Sequence, residues 1–265
     1  LMYNLEMQRC NQAPRVNTTV VGPDTLIAGS VSNPDARYGF VVPWGDMAAA
    51  RFLSAALQQG LTLRSSDLPF THQNGQRYPA GTLVLSRADN PADLTTKVQQ
   101  LAQQSGARIQ GLDNSWVTEG PNFGSFNVPA VPKVNVAMLW DEPTNPLSAG
   151  SARFVLERGI GYPVTAIRPA QLRSADLSRY QVLILPATGA GSYQQALGSV
   201  GSENLRQFVQ RGGVLITLGN ATSYLLEGDK PLLSSKREYQ VSEQEKPASE
   251  ARVPGRVLAE YREFE

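Results

Sequence analysis

The sequence predicts an α/β protein of two α/β domains, residues 1–130 and 131–265, the second a doubly wound parallel sheet. Three observations carry that prediction. Short apolar runs at residues 38–42, 134–140 and 181–186 read as strands, with amphipathic stretches between them. Glycine or proline closes most of these segments. Residues 113–132 gather Gly120, Pro121, Gly124, Pro129 and Pro132, the composition of a linker between domains.

The clearest unit is residues 204–226, NLRQFVQRGGVLITLGNATSYLL. Leu205, Phe208 and Val209 fall at i, i+3 and i+4, one apolar stripe of a helix. Gly212 and Gly213 stop that helix, because glycine takes the left-handed backbone without a Cβ penalty. Residues 214–218 then form an apolar run expected to be a strand covered on both faces. Gly219-Asn220-Ala221 turns the chain at that strand's carboxyl end, where open α/β sheets place their ligand sites.

Taken in order, residues 15–22 and 25–31 are short β-like pieces set off by turn residues. Residues 38–42 are a strand leaving through Pro43-Trp44-Gly45. Asp46 N-caps the helix MAAARFLSAALQQ, which Gly60 closes. Strands follow at 61–63 and 82–85. Asn90-Pro91 reads as an N-cap followed by proline at the first helical position. Leu94, Val98, Leu101 and Ala102 mark that helix, Gly106 ends it, and 107–112 is a further strand. Residues 38–112 therefore read β-α-β-β-α-β.

In the second half, residues 134–140 are a strand ending at Asp141-Glu142-Pro143, and SARFVLERG (151–159) is a helix. Strands at 163–167 and 181–186 flank a connector, and the second runs into the loop Ala187-Thr188-Gly189-Ala190-Gly191. This order of parallel strands is the flavodoxin type. Residues 228–250 are mostly charged and polar, a solvated excursion. Val257, Ala259 and Tyr261 alternate as a strand would.

The composition is 41% apolar and 18% charged, as expected of a soluble globular chain. A formal net charge of +1 gives no electrostatic reason to expect nucleic acid or a membrane surface as partner. No apolar run approaches the roughly 20 residues that span a bilayer, and LMYNLEMQRC is not a signal peptide. The single cysteine, Cys10, excludes an internal disulfide. Both ends fall inside patterned stretches, which suggests a piece of a longer protein.

Candidate binding residues gather at the presumed carboxyl edge of the second sheet: Trp140, Asp141, Glu142, Gly189, Gly191 and Asn220. Paired carboxylates could hold a metal or act as acid and base, or simply cap a helix. Backbone amides of the ATGAG loop could cradle an anion, although the loop matches neither GxGxxG nor the phosphate-loop pattern. Thr222 and Ser223 are hydroxyls without a base in the motif. The only histidine, His72, is either a ligand or base, or an exposed hairpin residue beside the turn dipeptide Asn74-Gly75. No catalytic and no metal-ligating residue is assigned.

YQVLILPATGAG and GGVLITLGNATSYLL resemble two segments of class I glutamine amidotransferase-like domains: the loop that helps form the oxyanion hole, and the nucleophile elbow. The resemblance puts Asn220 at or beside the family's cysteine. An amide supplies no thiolate, and no cysteine follows Cys10, so glutaminase chemistry is not expected. The apolar start LMYNLEMQRC, an α/β unit, a thiol-free amidotransferase-like domain and then VPGRVLAEY make the chain similar, over nearly its whole length, to the carboxyl-terminal region of large bacterial zinc carboxypeptidases. That resemblance implies a periplasmic or secreted parent whose amino-terminal peptidase domain is this chain's partner and carries the zinc. It also implies an accessory role in scaffolding, self-association into a homo-oligomer, or substrate presentation. His72 is followed by Gln73, Asn74 and Gly75, so the family's His-x-x-Glu ligand pair is absent here. No cofactor is expected in this chain. The alternative expectation is a small-molecule or peptide-binding module.

Overall fold

The computed structural model of the protein describes residues 11–12, 16–17, 28–226 and 231–235 of 265. Expectations for residues 1–10, most of 15–22 and 228–250, and 257–261 lie outside the described residues. The described chain is mixed α/β, with one mixed, one antiparallel and one parallel sheet.

The first half runs β1 (Ser30–Ser32), β2 (Gly39–Val42), α1 (Met47–Gln58), β3 (Arg64–Ser65), β4 (Phe70–His72), β5 (Arg77–Tyr78), β6 (Leu83–Ser86), α2 (Leu94–Ser105), β7 (Arg108–Leu112) and β8 (Val117–Glu119). Five strands form one sheet in the order β1-β7-β2-β6-β3, with β1 parallel to β7 and the other pairs antiparallel. Strand alternation sorts its side chains into two cores. Phe40, Val42, Leu83, Leu85 and Ile109 pack against α1 and α2. Val41, Val84 and Leu112 point the other way, onto Phe70, Tyr78, Phe123 and Val128. That second layer is the small antiparallel sheet β5-β4-β8 and the chain after it. Residues 113–132 are therefore not a free linker. Ser65 and Asp67 donate backbone hydrogen bonds to Pro129 and Asn127, so the stretch lies along β3 and covers the sheet's outer face.

Asp46 caps α1 as expected, its Oδ1 accepting from the Ala49 N–H at 3.0 Å. Asn90 does not cap α2, which starts four residues later behind Asp93. Its amide instead accepts from Thr62 N at 2.9 Å and donates to Thr62 O at 2.8 Å. Those bonds take the backbone groups of Thr62 out of any ladder. Leu61 and Leu63 are buried, yet the paired strand is only Arg64–Ser65 rather than 61–63.

The second half runs β9 (Val136–Leu139), α3 (Pro146–Arg153), a π-turn over Phe154–Gly159, β10 (Val164–Ile167), two 3₁₀ turns, β11 (Val182–Leu185), α4 (Tyr193–Gln210, broken at Gly198), β12 (Val214–Thr217) and α5 (Ser223–Leu226). Its four described strands are all parallel, in the order β10-β9-β11-β12. The helix expected at 151–159 begins at Pro146, because Asn145 accepts from the Leu147 and Ser148 N–H groups. Leu205 and Phe208 are buried beneath α4, whereas Val209 is exposed.

The expectation that β12 is covered on both faces fails. Leu215 packs on the α4 side, but Val214 and Ile216 stand 52% and 41% exposed. On their face, Ala149 of α3 packs with Val136, Met138, Val164 and Ile184, which lie on β9, β10 and β11. The helix does not reach β12, the outermost strand among the described residues. Tyr162 packs against cores of both halves, and Arg51 and Gln58 of α1 donate to the carbonyls of Gly159 and Gly161 at 2.9 and 2.7 Å. No described helix is long and apolar enough to cross a membrane.

Candidate functional site

The carboxyl ends of β9, β11 and β12 bring three loops together, and all six sequence candidates lie on them. Asp141 leaves β9 with φ 84°, a left-handed conformation uncommon outside glycine. The aspartate tolerates it by local bonding. Its Oδ1 accepts from Glu142 N at 3.0 Å and its carbonyl from Thr144 N at 2.9 Å. Oδ2 lies 3.5 Å from Arg168 Nε, with both side chains more than half exposed, so this ion pair contributes little. The Arg153 guanidinium sits 5.3 Å from the Trp140 ring centroid. Glu142 precedes Pro143 through a cis peptide bond and is exposed.

The loop after β11 is sutured to its neighbours by three of the backbone amides that the sequence offered for an anion. Ala187 N donates to Ser148 Oγ at 3.0 Å, and Gly189 N to Pro143 O at 2.8 Å. Thr188 N donates to Asn220 Oδ1 at 2.8 Å, while Asn220 Nδ2 returns a bond to Thr188 O at 3.2 Å. Asn220 thus replaces a missing ladder partner with its side-chain amide. Gly191 sits at φ 96° against Pro143.

Sequence reasoning missed Thr144, Asn145, Ser148 and Tyr193, which hold this edge from below. The Tyr193 hydroxyl donates to Pro186 O at 2.9 Å and lies 2.9 Å from Thr144 Oγ1. Burial pushes its pKa up, partly offset by the Thr144 hydrogen bond. The signal for Asn145 was the Asn-Pro pair at 145–146. Tyr193 carried none, because its partners are distant in sequence. Thr222 Oγ1 lies 3.1 Å from Thr217 Oγ1.

His72 is buried, not exposed, in β4. Its Nδ1 accepts from Asn74 N at 3.3 Å, which makes Nε2 the protonated nitrogen that donates to Asn114 O at 3.1 Å. Both ring nitrogens are therefore engaged with backbone. Among the described residues no group of three or more His, Cys, Asp or Glu side chains is placed to hold a metal.

Cavities of about 580, 400 and 290 Å³ lie elsewhere, and none of the three is lined by the six candidates. Compared with protein-family models, with curated proteins and with solved structures, the chain finds no match in any of the three.

Proposed function

We propose that this chain is a non-catalytic accessory region of a zinc metallocarboxypeptidase-like protein, acting in scaffolding, self-association or substrate presentation. Its second half reads as a flavodoxin-like, amidotransferase-like domain without thiol chemistry. The strand order β10-β9-β11-β12 supports that fold, being the 2-1-3-4 order of such sheets when strands are counted within this half. One observation carries the non-catalytic reading. Asn220, at or beside the position where the resemblance expects a thiol, spends its amide on Thr188 N and O, tying together the two loops that would flank a substrate. Zinc and peptide hydrolysis then belong to a partner domain outside this chain, in an exported parent.

The test is to assay the purified chain with blocked dipeptides and with glutamine, each with and without added zinc. No turnover above buffer is expected, and saturable turnover of either substrate would overturn the reading. A second reading, a small-molecule or peptide-binding module at Trp140, Asp141, Glu142, Gly189, Gly191 and Asn220, is favoured by the left-handed Asp141. It requires a ligand-induced rise in melting temperature that Trp140→Ala abolishes. A flat response to peptides would remove it.

A further inference from the structure

Trp116 stands 66% exposed and lines the cavity of about 580 Å³ in the first half. An indole left in water does not serve packing, yet the loop that carries it is held rigidly. Arg37 N and Asn33 Nδ2 donate to the Asp113 carboxylate at 3.1 and 3.2 Å. His72 Nε2 donates to Asn114 O, and Asn114 Oδ1 accepts from Trp116 N at 3.0 Å. Gln73 N donates to Trp116 O at 2.9 Å. The buried histidine thus acts as a brace for an exposed aromatic side chain. Ordering the loop in advance reduces the entropy a ligand would have to overcome.

The rest of the cleft is amphiphilic. Tyr38 and Phe123 stack with centroids 5.8 Å apart and line it together with Asn122. Arg64 and Asp89 also line it. Arg64 is fixed by donation to Val128 O at 3.3 Å, and Asp89 by the Ser86 hydroxyl at 2.9 Å. No ion pair among the described residues involves either of them. One cation and one anion therefore face the same space.

We propose that this cleft binds a neutral saccharide, with Trp116 as its stacking platform. A pyranose presents an apolar C–H face to an indole and hydroxyls at its rim. Each hydroxyl both donates and accepts, so neighbouring hydroxyls can satisfy a carboxylate, a guanidinium and a side-chain amide at once. A charged ligand of either sign meets a like charge in Asp89 or Arg64. A wholly apolar ligand would desolvate both without replacing their hydrogen bonds. The volume falls in the roughly 300–1,000 Å³ range of small-molecule sites. This site is independent of the carboxyl-edge loops and of the accessory role proposed above.

The experiment is a titration of the isotope-labelled full chain with two neutral tetrasaccharides, cellotetraose and the tetramer of N-acetylglucosamine. The signal followed is the indole N–H of Trp116, assigned with Trp116→Phe. At least one tetramer should shift it saturably with a Kd of about 1 mM or tighter, leaving Trp44 and Trp140 unmoved. Trp116→Ala should weaken binding about tenfold or more, and Asp89→Asn by a smaller factor, with unchanged melting temperatures. Binding that survives Trp116→Ala overturns the proposal. So does a Trp116 signal that stays still up to roughly 10 mM of both sugars, including the case where it responds instead to a proline-rich peptide.

Discussion

Asp113 accepts hydrogen bonds first from the backbone N–H of Arg37 and then from the amide of Asn33, and these hold its carboxyl below the usual carboxylate range. A folded pKa below the unfolded one stabilises the fold at pH values above the unfolded pKa. That contribution disappears as the pH falls through the folded pKa. Asp113→Asn should therefore melt below the parent near neutral pH, with the gap closing towards about pH 3. A gap of constant size across that range would rule out the carboxylate as its cause. Asn90 and Asn220 illustrate a second residue-scale device. Each uses both ends of its amide on one backbone residue, Thr62 or Thr188, as a neighbouring strand would. Local spacing reads asparagine as a cap or turn residue; only the placement of its partner reveals a splint.

Two of the three Asn-Pro pairs separate the roles an identical signal can take at the level of elements. Asn145-Pro146 opens α3, whereas Asn90-Pro91 precedes α2 by a turn that the asparagine does not cap. Asn145→Ala should cost about 1 kcal/mol and speed amide exchange in the first turn of α3. Asn90→Ala should instead speed exchange at Thr62 while leaving the first turn of α2 protected. Fraying of α2 in that variant would mean that the asparagine caps after all. The stretch 113–132 gives a related lesson. Its prolines and glycines were legible, but Phe123 and Val128 are buried among β-strand residues. Punctuation marks where regular structure stops, not whether the chain then leaves the surface.

The whole molecule decides burial. In the parallel sheet, Leu183 and Ile216 are equally apolar in sequence, yet Leu183 lies under α4 and Ile216 faces solvent at the described edge. Leu183→Ala should destabilise by about 2–5 kcal/mol. Ile216→Lys should stay within about 0.5 kcal/mol of the parent in a denaturant titration. A large loss in the lysine variant would show that something covers this face in solution. Both candidate sites are also products of assembly. The carboxyl-edge loops meet because β9, β11 and β12 are parallel neighbours, and the Trp116 cleft exists because β8 folds back along β4.

The sequence by itself determined the alternation of helices and strands, the Asp46 cap, the glycine stops, and the absence of a thiol near Asn220. Each depends on residues within a turn or two, where periodicity and backbone preference act directly. The tertiary structure alone decided that His72 is buried as a brace, that Asn90 and Asn220 are splints, and that Val214 and Ile216 of β12 are left exposed by the described residues. Asn90 and Asn220 join residues 28 and 32 positions apart, and such separations have no period to read. Whether a face is covered depends on how far a packed helix extends, which an apolar strand cannot encode in its own residues.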